Sequence, residues 1–193
     1  MPEFTYDPIK HIYRIGSRVL PSVTDIIRYV LPSYSAGEFY MQRGTAMHLG
    51  CELLDKGTLD WATVDPRIEN RLKAWQKFLA ASRCVVIDSE VPLYSATYGY
   101  AGTRDRLLHG PNNQTLVADI KSTITPHVIP QLGGYSLLSP NSVEGGVAVE
   151  LRADVSFRAQ WLLSDQIRRA EQTFLGILST YNFMVTHNIK GNT

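Results

Sequence analysis

The stretch from Cys84 to Lys121 places the tightest limit on how this chain folds. Cys84-Val85-Val86-Ile87 and Val91-Pro92-Leu93 read as one strand, Cys84 to Leu93, with Pro92 near its end. Tyr98 to Leu108 reads as a second strand and Leu116 to Lys121 as a third. Between the last two, His109 to Gln114 is a turn of Gly, Pro and Asn. β-branched and aromatic runs bounded by such turn residues are strands, so three follow one another directly.

Helical spacing governs much of the rest. Ser22 and Asp25 are spaced as a capping pair, predicting a short helix to about Val30 that stops before Pro32. Thr45 to Lys56 reads as a second helix ended by Gly57. Asp65-Pro66 is an N-cap followed by proline in the first turn, and Ile68, Leu72, Trp75 and Leu79 carry a third helix to about Ser82. A further helix is expected over Val128 to Leu138, and a terminal one from Ser164 to about Tyr181. His11 to Leu20 reads as an early hairpin about Gly16-Ser17, and Val147 to Arg152 with Val155 to Trp161 as a late one. Helices, a run of strands, a helix, strands and a helix predict one mixed α/β (α+β) domain over residues 1–193. Its centre would be a mixed sheet flanked by helices.

Charge and cysteine content narrow the function. Nineteen basic and 18 acidic residues give a net charge of +1. A global basic field for nucleic acid is therefore absent, and such binding would use a local patch. Two cysteines, Cys51 and Cys84, are too few for a disulfide scaffold, a four-cysteine zinc site or a cysteine-ligated iron–sulfur cluster. They read as buried small hydrophobes. Met1 to Lys10 has no apolar signal region. Ser122 to Val143 lacks Asp, Glu, Lys and Arg, but three prolines and a Gly-Gly pair argue against a membrane span. A cytoplasmic protein with no membrane partner is expected.

The second and third strands bring chemistry together. If their turn is centred on Asn112, Asp105 lies opposite Asp119. Directly opposed side chains have Cβ atoms ~4.5–5.5 Å apart, where like charges destabilise unless a cation sits between them. Lys121, two residues beyond Asp119, projects on the same face. Two acids and a lysine on one sheet face suit metal-assisted hydrolysis: the acids hold Mg²⁺ or Mn²⁺ and the lysine positions a water. The same register puts Arg104 and Arg106 on the face of Leu116, Ala118 and Ile120, which reads as core. Either they snorkel to the sheet edge or a bulge at Gly102 shifts the pairing.

Other polar residues fall into order along the chain. They run Arg43-Gly44-Thr45-Ala46-Met47-His48, then Glu90-Val91-Pro92-Leu93, then Tyr100-Ala101-Gly102-Thr103-Arg104-Asp105. Val117-Ala118-Asp119-Ile120-Lys121-Ser122 and Gln131-Leu132-Gly133-Gly134-Tyr135 follow. A helical histidine, a Gly-x-x-Asp strand, an Asp-x-Lys strand and a Gln-x-x-x-Tyr helix, in that order, resemble the RecB-like branch of the PD-(D/E)XK nuclease superfamily. The likeness extends over about residues 20–138. Pro21-Ser22-Val23-Thr24 resembles the entry of phage-type exonucleases, and mitochondrial genome-maintenance exonucleases are similar at the same places.

The resemblance implies a restriction-endonuclease-like fold, completed by the hairpin and helix of 147–187. It also implies a DNA nuclease using one or two Mg²⁺ or Mn²⁺ ions. The metal would be held by His48, Asp105, Asp119 and the carbonyl of Ile120. Lys121 would orient the water, and Glu90 would assist this metal or a second. Gln131 and Tyr135 would brace the site and contact DNA. The implied product ends are 5′-phosphate and 3′-hydroxyl, in phage-type recombination, repair or processing. DNA with free ends is the implied partner, with room for a recombinase, a single-strand-binding protein or a homo-oligomer.

The same residues serve structure-specific endonucleases, and the superfamily includes silent DNA-binding members. Arg43, Arg104, Arg106 and the helix bearing Arg67, Arg71, Lys73 and Lys77 are the cations expected to meet DNA, with Tyr94, Tyr98 and Tyr100 available to stack on bases. Two departures stand out. Arg104 occupies a usually apolar place, and the cluster cysteines of the iron–sulfur members are missing, so no such cluster is expected.

Overall fold

The computed structural model describes residues 3–32 and 38–192, with the side chains of 38–43 outside the description. The expected mixed α/β architecture is present. A five-stranded sheet runs in chain order through β4 (Val85–Ser95), β5 (Tyr100–His109), β6 (Thr115–Lys121), β7 (Gly145–Leu151) and β8 (Phe157–Leu162). All neighbours are antiparallel except β6 and β7, which are parallel and joined by helix α4 (Val128–Leu138). A parallel pair needs such a crossover because its second strand must re-enter from the same end.

Helices cover both faces. On one, α2 (Glu38–Asp55) and α3 (Pro66–Ser82) bury Met47, Cys51, Leu72, Trp75 and Phe78 against Leu108, Leu116, Ala118, Ile120, Val147 and Val149. On the other, α4 and α5 (Ser164–Thr186) pack Val128, Leu132, Ile167 and Ala170 on Leu107, Val117 and Ala148. Alternate residues of β6 and β7 thus enter opposite cores, the mark of a strand buried on both sides. Helix α1 (Val23–Val30) joins α4 and α5 around Tyr100 and Phe174. Gly133 lets α4 and α5 approach closely: a Cβ there would lie 2.2 Å from the carbonyl oxygen of Ala170.

Local signals acted as expected. Ser22 Oγ accepts from the Asp25 amide at 3.0 Å and the Asp25 carboxylate accepts from the Ser22 amide, closing the capping box of α1. Asp65 accepts from the Arg67 amide at the start of α3. Both cysteines are buried and free. The early hairpin, β2 (Ile12–Ile15) and β3 (Arg18–Leu20), gains a partner strand β1 (Phe4–Asp7), and this small sheet docks on β5 through Tyr13 and Thr103, 2.8 Å apart. Helix α2 starts seven residues earlier than the spacing predicts, and α5 runs five residues longer. No helix among the described residues is long and apolar enough to cross a membrane.

Candidate active site

The predicted β5–β6 register holds where the strands are paired. Arg106 faces Ala118, Leu107 faces Val117 and Leu108 faces Leu116. It stops there, one pair short of the expected Asp105–Asp119 opposition. Beyond Ala118 the strands part, and the Asp105 carboxylate enters the gap, its Oδ2 accepting from the backbone N–H of Ile120 at 2.9 Å. Asp105 and Asp119 are therefore neighbours at a fork and not a cross-strand pair.

The β4–β5 ladder has a matching irregularity. Ser89 pairs with Arg106 and Val91 with Arg104, so Glu90 and Asp105, facing each other, both leave the pairing. Glu90 has φ +52°, a left-handed conformation that a non-glycine residue keeps only where its surroundings hold it. One residue dropping out on each strand leaves the overall register unchanged and reverses the alternation of side chains past that point.

This excursion points both acids at α2. His48 Nδ1 lies 3.3 Å from Glu90 Oε1 and 3.4 Å from Asp105 Oδ2. One ligand atom from each of His48, Glu90 and Asp105 falls within 4.8 Å of the other two. Burial opposes the charge on His48, but Asp105 and Glu90 outweigh it and hold the imidazole above its ordinary range. For Glu90, burial works against ionisation and is overcome by His48 and Arg106, leaving its carboxyl below the usual range.

Asp119 and Lys121 alternate with Ile120 and so share the α4 face with Val117. The Lys121 ammonium donates to Asp119 Oδ1 at 3.1 Å and lies 2.9 Å from Oδ2, off its hydrogen-bonding direction. Asp119 is wholly buried, and its Oδ2 has no hydrogen-bond partner. Burial pushes its carboxyl up to about 7 against the pull of Lys121. Lys121 is held above its ordinary value because Asp119 and Asp105 overcome the cost of its own burial. Gln131 Nε2 donates to the Tyr135 hydroxyl at 3.2 Å on α4, and burial with the nearby Asp105 and Asp119 keeps that phenol neutral.

The donor set suits a hard divalent cation: two carboxylates and one imidazole converge, and the buried carboxylate of Asp119 is held beside them by the Lys121 ammonium. The ligand atoms that cluster are those of His48, Glu90 and Asp105. Asp119, also expected to hold the metal, lies beside Lys121. Ile120 contributes its N–H to Asp105.

The expected DNA contacts divide. Arg104 and Arg106 are buried, and this corrects their assignment. Arg104 pairs with Asp88 at 2.8 Å and donates to Ser139, while Arg106 pairs with Asp55 and Glu90. Neither guanidinium reaches solvent to meet a phosphate. Tyr100 is also buried, donating its hydroxyl to Gly134, whereas Tyr94 and Tyr98 are exposed. On α3, Arg67 pairs with Asp65 and Lys73 with Glu69. The Arg43 side chain lies outside the described residues.

Two residues join the site that spacing gave no reason to single out. Asp55 reaches Arg106 from the last turn of α2. Arg28, exposed on α1, is near enough that its charge opposes protonation of Lys121 and His127. Only the capping box that fixes α1 hints that Arg28 is held in place.

No family model and no curated protein matches the chain. Solved structures do. LHK-Exo in complex with dAMP is similar over 87% of this chain and 90% of its own, at 15% identity and a TM-score of 0.46. A second structure of LHK-Exo, an alkaline exonuclease from Laribacter hongkongensis, matches over 86% and 92% at 13% identity and a TM-score of 0.43. SSO0001 matches over 81% and 75% at 17% identity and a TM-score of 0.36.

Proposed function

We propose that this chain is a Mg²⁺- or Mn²⁺-dependent DNA nuclease, an exonuclease that works from DNA ends and leaves 5′-phosphate and 3′-hydroxyl termini. The observation that carries the reading is the convergence of His48, Glu90 and Asp105 beside the buried Asp119–Lys121 pair. Action on ends, and a place in phage-type recombination, repair or processing, follow the resemblance of the ordered motifs.

Cleaving a phosphodiester means bringing a nucleophile to a group that already carries negative charge. A divalent cation held by His48, Glu90 and Asp105 would offset that charge and make the attacking water more acidic. The remaining work belongs to the chain. Lys121 presents an ammonium, oriented by Asp119, that can hold a water by hydrogen bond and stabilise charge developing on phosphate oxygen. His48 ligates only as neutral imidazole, so cation binding competes with its protonation. Tyr135, kept neutral, can donate its hydroxyl while Gln131 fixes its position. Arg28, exposed on α1, would be one cation available to the incoming backbone.

The test is an assay of the purified protein on linear single-stranded, linear duplex and closed circular DNA with Mg²⁺, Mn²⁺ or EDTA. Metal-dependent loss of linear but not circular DNA supports the reading. Cutting of circles would make the protein an endonuclease. Binding without cleavage on every substrate would overturn the enzymatic reading.

A further inference from the structure

We propose that Arg106 is the positioning residue of this cluster: one buried guanidinium sets the mutual placement of the three groups that would hold the cation. The inference rests on the metal-site reading above and adds to it a residue that touches neither cation nor DNA.

The three ligand residues come from three elements, α2, β4 and β5; β4 and β5 are paired, but the pairing lapses at Glu90 and Asp105, and α2 lies outside that ladder. Arg106 touches all of them. Its Nη1 donates to Glu90 Oε1 at 2.8 Å and to the carbonyl oxygen of Asp105 at 2.6 Å, and its Nη2 donates to the carbonyl oxygen of His48 at 3.4 Å. The guanidinium is itself anchored. Its Nε donates to Asp55 Oδ2 at 2.5 Å, and Asp55 Oδ1 accepts from Trp75 Nε1 at 2.7 Å. The arginine side chain is wholly buried and Asp55 nearly so, and the Trp75 ring centroid lies 6.0 Å from the guanidinium carbon.

Charge alone does not explain this arrangement. A fixed positive charge beside Glu90 repels the cation the cluster would bind. Arginine offers something else: a planar fork whose donors keep fixed angles to one another. Contact with two ligand backbones and the third ligand's carboxylate turns that rigidity into spacing. The same fork meets the carboxylate of Glu90, the residue whose backbone is left-handed and must be held by its surroundings. A lysine would keep the charge but lacks the rigid geometry.

The test is Mn²⁺ affinity by calorimetry, with a thermal melt and circular dichroism, on the wild-type chain, Arg106→Lys and Asp55→Asn. Wild type should bind Mn²⁺. Folded Arg106→Lys should bind about 10–100-fold more weakly, the usual effect of losing a group that orients metal ligands. Asp55→Asn offers one acceptor oxygen where aspartate offers two, so Trp75 and Arg106 compete for it, and an intermediate loss is expected. A merely structural arginine would lower the melting temperature and leave the Mn²⁺ affinity of the folded protein unchanged. That result in either variant overturns the proposal while leaving the metal site standing. Should Arg106→Lys not fold, Asp55→Asn decides alone. A wild-type chain that binds no Mn²⁺ removes the metal-site reading, and this inference with it.

Discussion

Arg104 and Arg106, two residues apart on β5, send their guanidiniums to opposite faces of the sheet. Arg104 meets Ser139 at the end of α4, and Arg106 meets Asp55 at the end of α2. In an unbroken strand they would share a face. The reversal occurs at Asp105, opposite the left-handed Glu90. The irregularity that separates the arginines also turns two acids toward His48. Had the ladder run on, Asp105 would have remained within it and the cluster would not form.

Lys121→Ala should lower cleavage by about 10²-fold or more, as expected when a donor to developing negative charge is removed. Asp119 would then stand buried without its cation, and its carboxyl, already near 7, would take up a proton. Circular dichroism should accordingly show a folded protein. Near wild-type turnover in that folded variant would remove Lys121 from the chemistry.

Mn²⁺ affinity should rise with pH through the neutral range. His48 is held above its ordinary pKa and Asp119 sits near 7, so the metal-free site carries protons that a bound cation must displace. Calorimetry at pH 6 and 8, in buffers of different ionisation enthalpy, should show tighter binding at pH 8 and proton release on binding. Stability of the metal-free protein runs the other way with pH. Both groups bind protons more tightly folded than unfolded, so their contribution to the stability of the metal-free protein should fall as pH rises from about 5 to 8, offset in part by His127, whose pKa is shifted down by burial and Arg28. Glu90, shifted downward, acts only below that window. A metal-free melting temperature that climbs across the range would contradict these shifts.

Gly133→Ala should destabilise the protein by about 3 kcal/mol, a fall in Tm of roughly 10 °C for a chain of this size. The new methyl would collide with the α5 backbone at Ala170, which cannot yield as a side-chain tip could. An unchanged melting temperature would mean that α4 and α5 are not in this contact.

Arg83→Gly should act in the opposite direction. Arg83 ends α3 with φ +57° and ψ +25°, the left-handed position that glycine fills most cheaply. Its side chain is exposed, so little packing is lost. A gain of about 0.5–1 kcal/mol is expected, less whatever glycine adds to the entropy of the unfolded chain. A denaturant midpoint that fails to rise would show that the left-handed backbone costs arginine nothing here.

Elements built by near neighbours were legible in the sequence. The Ser22–Asp25 box, the Asp65-Pro66 start, the turn about Asn112 and the strands beside it depend on residues within a few positions of one another. Their order sufficed for the sheet flanked by helices. The resemblance of the ordered motifs also drew attention to His48, Asp105, Asp119, Lys121, Gln131 and Tyr135, because the order of polar residues survives in one dimension. The tertiary structure decided which of them meet. Strand alternation assumes an unbroken ladder, and it failed at Glu90 and Asp105, where the backbone leaves the ladder. That departure persists because His48 and Ile120, from other elements, and the neighbouring Arg106 bind what the ladder releases. Asp55 and Arg106 are 51 positions apart in the chain. No local pattern couples them; only the packing of α2 on the sheet brings their charges together and gives a buried arginine its role.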